Sequence, residues 1–206
     1  MRKLKGIALV LVMIVTGGCM MNAPDVPAFE DEFTREFMKS TKAVEEGFYL
    51  FESKTGGYTI WFPENAVTES EYYVKAGDQR ENTSIMEVYG ENLYYRARLW
   101  YEDRSVTEMI EPQLSLLSSS AGGYEGEYEE FQFGNNTYYY ATTVYETDGG
   151  NQVYRFFSYI KSNLNEKGIR FTYTTSCNNF KDPCTIDVEQ QEKHALKLMK
   201  SVEFQE

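Results

Sequence analysis

Cysteine and histidine, the side chains most apt to attack, ligate or shuttle protons near neutral pH, are scarce in this sequence: of 206 residues, three are cysteines and one is a histidine. His194 is the only imidazole base, and it falls among Lys193, Lys197 and Lys200 on a helix-patterned stretch, so a surface or boundary position is expected rather than part of a catalytic triad. Ser158-Tyr159-Ile160-Lys161 spells Ser-x-x-Lys, a spacing that works when a helical turn brings the lysine back to the serine. Here it lies in a strand-patterned stretch, where positions three apart face opposite sides. Glu125, Glu127, Glu129 and Glu130 crowd one short strand. Calcium asks for several oxygen ligands on a bent loop, so charges that guard an edge strand account for them better than a metal site does. The set that stands out is suited to recognition. Tyr94, Arg96, Arg98 and Trp100 alternate with Tyr95, Ala97, Leu99 and Tyr101, so two aromatic rings and two guanidinium groups share the strand face opposite the apolar stripe. Tryptophan and arginine are favoured anchor residues, and these four form the candidate binding patch. Under a covering helix, the same arginines would instead pair with surplus carboxylates. No catalytic, cofactor or metal set is expected, and the chain reads as a non-enzyme.

The third cysteine context is positional. Arg2, Lys3 and Lys5 precede the apolar run Ile7–Val15, and the small residues Thr16, Gly17 and Gly18 lead into Cys19. That order is a secretory signal over residues 1–18, its apolar run shorter than the roughly 20 residues that span a bilayer. A cysteine directly after small residues resembles the lipobox of bacterial lipoproteins, with Thr16 where that family prefers leucine. The resemblance implies that the Cys19 thiol is acylated and becomes the new N-terminus, holding an outward-facing protein on the cell membrane. Stable anchoring takes two or more chains, since one acyl chain binds only reversibly. With Cys19 lipidated, Cys177 and Cys184 remain as an even pair in an oxidising compartment, and a disulfide between them is expected. Free thiols or a metal pair are the alternatives; the spacing is too wide for Cys-x-x-Cys chemistry, and no second ligand pair exists.

Losing the 18-residue signal and its three positive charges leaves 188 residues and moves the formal charge from −12 to −15. That length suits one domain with its own core. So acidic a surface argues against nucleic acid and against anionic headgroups as partners. Residues 19–28, with Pro24 and Pro27, read as a lipidated tether. Phe29, Phe33, Phe37 and Val44 recur near helical spacing and predict an amphipathic helix over 29–47. From 48 to 206 the pattern is that of one α+β domain. Period-two stretches at 58–62, 93–102, 126–133, 136–146, 151–161 and 169–177 predict strands, the later ones joined as hairpins at Gly134-Asn135 and Asp148-Gly149-Gly150. A helix is predicted from Ser105 to Leu117, with Ser105 and Glu108 as a capping box. A last helix is predicted to start at Asp187 and Gln190 and to bury Val188, Ala195, Leu198, Met199 and Val202.

Gly57-Tyr58-Thr59-Ile60-Trp61-Phe62-Pro63 is similar to the first strand of the Mog1/PsbP-like superfamily, and Lys200-Ser201-Val202-Glu203-Phe204 resembles that group's ending. The resemblance covers roughly residues 50–205. It implies a curved antiparallel sheet of hairpins flanked by helices, and a non-catalytic accessory or binding protein; no functional residues transfer by position. The expectation is a lipid-anchored module that presents a tyrosine-rich sheet to an envelope polymer or envelope protein and supports surface or colony-level behaviour. A small-ligand carrier, or a weak carboxylate-based hydrolase of envelope polymers, are the alternatives.

Overall fold

The computed structural model describes residues 23–89, 92–147, 149–178 and 184–206. Cys19 and the signal lie outside them, as do residues 20–22 and 179–183. The chain opens with two single-turn helices, α1 (Pro27–Glu30) and α2 (Glu32–Arg35). Strands β1 (Phe48–Glu52), β2 (Tyr58–Pro63), β3 (Val67–Thr68) and β4 (Val74–Ala76) follow. Then come β5 (Arg80–Tyr89), β6 (Leu93–Asp103), helix α3 (Ile110–Ser120) and β7 (Glu129–Phe133). The chain ends with β8 (Asn136–Glu146), β9 (Gln152–Ser162), β10 (Lys167–Cys177), helix α4 (Val188–Lys200) and β11 (Glu203–Phe204). All pairing is antiparallel. The main sheet runs β3-β5-β6-β10-β9-β8-β7 with β4 beside β5, and a second sheet runs β1-β2-β11. This is the α+β class expected, as one domain.

The alternation of β6 and β10 decides where the core lies. Tyr95, Ala97, Leu99 and Tyr101 of β6, with Ile169, Phe171 and Tyr173 of β10, are at most 1 % exposed. They meet Phe51, Tyr58, Ile60 and Phe62 of the small sheet and Ala195, Leu198 and Met199 of α4 in one cluster. On the other face, α3 and the turn after it lay Leu117 and Ala121 on Ala141, Phe157 and Tyr159. Each fully buried leucine or phenylalanine contributes roughly 1.5–3 kcal/mol. α4 starts as its sequence indicates, with the Asp187 carboxylate accepting from the Gln190 N–H at 3.0 Å. β7 is a sheet edge, and Glu129 and Glu130 are exposed on it as aggregation-blocking charges should be.

Several expectations fail for identifiable reasons. The single helix over 29–47 is absent. Asp31 has extended backbone (φ −69°, ψ 119°), and its carboxylate caps Thr34 N–H at 2.7 Å, so a new turn starts where a longer helix would continue. After Glu36 the chain runs back along β1, with Lys39 N–H bonded to Leu50 O and Glu52 N–H to Phe37 O. The phenylalanine spacing serves packing instead: Phe37 stacks on Phe51 at 4.7 Å and meets Phe33 edge-on at 5.3 Å, while Val44 is exposed. The tether is also shorter than residues 19–28. Ala23 and Val26 pack on the core, and buried Ala28 donates its N–H to Glu64 O. The capping box at Ser105 does not form; Ser105–Glu108 is a 3-10 turn, and α3 begins at Ile110. Pro112 has no N–H to give to a turn begun at 105, so the helix restarts where the proline falls in its first turn. The strand placed at 126–133 begins only at Glu129. β5 carries no clean sequence signal because it buries Glu81, Thr83, Ser84 and Glu87 among its apolar residues.

The tyrosines divide. Tyr58, Tyr95, Tyr101, Tyr138, Tyr159 and Tyr173 are fully buried, while Tyr94, Tyr139, Tyr145 and Tyr154 stay at least partly exposed on the main sheet. A phenol is large enough to fill the gap between layers, provided its hydroxyl finds an acceptor or costs little unpaired. Gly57 marks the tightest of these fits, because a Cβ there would overlap the buried Tyr101 phenol. Gly57→Ala should therefore lower stability by about 1–3 kcal/mol, measured as a shifted urea midpoint. Adding Tyr101→Leu should recover part of that loss.

Candidate functional site

The outer face of the main sheet is set by register. Across β8, β9, β10 and β6, one row carries Tyr145, Val153, Ser176 and Tyr94. The next carries Thr143, Arg155, Thr174 and Arg96, and the third Ala141, Phe157, Thr172 and Arg98. Trp100 follows beside Arg170. Helix α3 covers Phe157 and Ala141 but stops at Ser120, leaving the β6 side open. A groove of about 590 Å³ results, bordered by Ser120 and containing all four residues of the predicted patch. A smaller concavity of about 180 Å³ continues past Arg98 and Trp100 toward Tyr72 and Asn82. The helix covers one half of this face and leaves the arginines beyond its end.

The guanidinium groups differ in their partners. Arg96 is locked in a two-pronged pair, Nε to Glu69 Oε2 and Nη2 to Glu69 Oε1, each 2.7 Å. Ser84 Oγ donates to the same carboxylate at 2.6 Å. Burial works to raise the Glu69 pKa, but the hydrogen bonds from Arg96 and Ser84 outweigh it and hold the carboxyl below its ordinary value. Arg98 has no carboxylate within 4.0 Å among the described residues; its guanidinium stands 5.2 Å from the Tyr72 ring. Arg155 is likewise without a carboxylate there. It lies 4.6 Å from the Tyr145 ring and donates to the Tyr145 hydroxyl at 3.0 Å. Gly122 (φ +90°) lets the turn after α3 pass over it, since a Cβ would sit 2.9 Å from Arg155 Nη1. Arg170, on the same face, is taken up beneath α3 by Gln113 at 3.0 Å and Glu102 at 3.8 Å.

The structure thus brings together Tyr94, Arg96, Arg98 and Trp100 and adds Arg155, Tyr145 and the hydroxyls of Thr172, Thr174 and Ser176. Arg155 was legible only as a member of the phase Val153-Arg155-Phe157, and nothing local set it apart. Cys177 and Cys184 are joined in a disulfide with Cα atoms 6.0 Å apart, and Cys177 stands at the groove's rim. The other candidates do not assemble. Ser158 is fully buried with its hydroxyl on Tyr159 O, while Lys161 points to the opposite face and pairs with Glu108. Glu125 and Glu127 lie in the loop before β7 rather than in the strand. His194 takes a boundary position, as expected, with its ring turned inward. Its ring packs against Tyr95 (5.2 Å), Tyr173 (5.9 Å) and Phe48 (6.0 Å), and its Nε2 is buried without a hydrogen-bond partner.

Fold and site together define a class: an antiparallel-sheet α+β protein with its main core on one sheet face and, beside a smaller core under α3, an arginine-bearing groove on the other. The chain belongs to the family described as "Putative lipoprotein YvcA", whose model matches residues 24–203. It is similar to the Bacillus subtilis (strain 168) protein of that same description, 29% identical over 235 residues, which cover 99% of this chain and 97% of that protein.

Burial first, and then the nearby Lys197 charge, push the His194 pKa down to about 4 from 6.5. A depressed imidazole favours the neutral form in the fold, so its stabilising share is full above about 6.5 and drains as pH falls toward 4. Glu87 works the other way, because burial raises its carboxyl. The two are separated by difference. Between pH 7 and pH 4.5 the urea midpoint of the wild type should fall further than that of His194→Phe.

Proposed function

We propose that this chain is a bacterial envelope lipoprotein, held on the outer side of the cell membrane by an acylated Cys19. In this reading it acts as a non-catalytic binding module through the groove on its outer sheet face. The family membership and the description of the Bacillus relative support the lipoprotein half. Its tether is short. Ala23 already packs on the core, so four Cα steps of 3.8 Å keep the domain within roughly 15 Å of the lipidated residue. A module held that close engages envelope material at the membrane rather than far outside it, and supports surface or colony-level behaviour by holding that material.

One observation carries the binding half. Among the described residues the groove is lined by fifteen, three of them arginine and none aspartate or glutamate, on a chain with 32 acidic and 20 basic side chains. A surface left to chance on so acidic a protein would carry carboxylates, and here they would quench Arg98 and Arg155. Arginine and aromatic residues in a concave site are the usual anchors of a recognition surface.

Two experiments test the two halves. Cys19→Ala should abolish labelled-palmitate incorporation and release the protein from the membrane fraction; unchanged labelling and fractionation would refute the anchor. The Arg98→Ala/Trp100→Ala double variant should lose at least tenfold of its surface crosslinking to envelope material with an unchanged urea midpoint. A collapse of the fold in that variant would mean the pair is structural.

A further inference from the structure

Resting on the groove reading above, we infer that the groove's ligand is an extended sugar polymer bearing anionic groups. Three features of the site lead to this class. The first is charge without a direct carboxylate contact among the described residues, Arg98 feeling Glu69 only at longer range. Arg98 and Arg155 flank β10 from either side, each braced against a tyrosine ring and neither matched with a carboxylate among the described residues. A guanidinium held by a ring and a phenol hydroxyl has lost much of its conformational freedom, so its remaining donors are pre-aimed at a carboxylate or phosphate. Arg96 takes no direct part in that recognition, because Glu69 already occupies both prongs of its fork.

The second feature is what lies between the charges. Trp100 is half-buried, lines both concavities and has no ring partner among the described residues, so its indole is a free apolar plate. Beside it stand the hydroxyls of Thr172, Thr174 and Ser176. A plate for C–H faces, next to hydroxyl groups that both donate and accept, matches a sugar ring with its equatorial hydroxyls. A bare chain of phosphates would make no use of the plate, and an uncharged sugar would leave two arginines unpaired in a half-buried site.

The third feature is shape. The two concavities, about 590 and 180 Å³, share Arg98 and Trp100 and together cross the sheet from Asn151 to Tyr72. A compact ligand would fill one of them, whereas a chain of sugar units can occupy both with Trp100 at its midpoint. The acidic remainder of the surface weakens attraction at long range, so contact-range pairing at the arginines must select the ligand.

The test uses the full chain purified in detergent and four probes read by titration calorimetry: polygalacturonate, phosphomannan, neutral dextran and inorganic polyphosphate. Binding of polygalacturonate or phosphomannan, at least tenfold tighter than dextran and polyphosphate, is the expected result, and the better of the two identifies carboxylate or phosphate as the anionic group. Arg98→Gln, Arg155→Gln and Arg155→Lys should each weaken that binding about tenfold or more at unchanged urea midpoints, and Trp100→Ala should do the same. Dextran or polyphosphate binding as tightly as the acidic glycans, or binding indifferent to these variants, would overturn the ligand class. If no glycan binds while Arg98→Ala/Trp100→Ala still loses surface crosslinking, the ligand class fails and the groove reading stands. If crosslinking is also indifferent to the groove, both fail.

Discussion

Eleven residue pairs lock β6 against β10, and nearly everything else in the molecule follows from that register. Because side chains alternate strictly along a strand, a slip of β6 by one residue would turn Arg96 and Arg98 into the core and expose Tyr95 and Tyr101. The apolar phase of this central pair is what the small sheet and α4 pack upon. Its polar phase is what lines the groove. Core and groove are two sides of one constraint, so neither can shift without the other.

The core is rich in tyrosine, and that choice does more than fill space. The hydroxyls of Tyr95 and Tyr101 stay unpartnered among the described residues, but three other phenols place theirs on α4. Tyr173 donates to Gln191 at 2.6 Å, Tyr140 to Glu192 at 2.8 Å and Tyr138 to Met199 O at 3.3 Å. Apolar burial alone would let the helix slide along the sheet, since it is non-directional, whereas these bonds fix its azimuth and depth. Tyr159 does the same on the other face by donating to Thr107 O at 2.6 Å, which seats the 3-10 turn before α3. The position of α3 in turn determines how much of the outer face stays open. In this way the aromatic core sets the width of the groove.

Within the groove, charge is sorted. Glu69 is the carboxylate spent on an arginine there, and it lies buried at 7 % exposure beneath the surface rather than in the lining. By holding Arg96 it keeps the neighbouring strand positions in order and leaves Arg98 and Arg155 to be braced by rings. The contrast with the rest of the chain is sharp: β7 and the loop before it carry carboxylates into solvent, where they keep an edge strand from pairing.

The sequence by itself determined the class of fold, the phases of β6 and β10, the hairpins of the second half and the cap of α4. It also placed Tyr94, Arg96, Arg98 and Trp100 on one face, because period-two alternation and side-chain caps are local and need no knowledge of neighbours. It misread 29–47, where a phenylalanine spacing close to a helical period arose from packing against β1. It also missed β5, whose buried glutamates and hydroxyls hide its phase. Only the tertiary structure decided that Arg155 joins Arg98 across β10, that Glu69 takes Arg96 out of play and that α3 stops short of the arginines. Those facts depend on which strands become neighbours and where a helix comes to rest, and pairing between segments far apart in the chain leaves no mark in the local pattern of either.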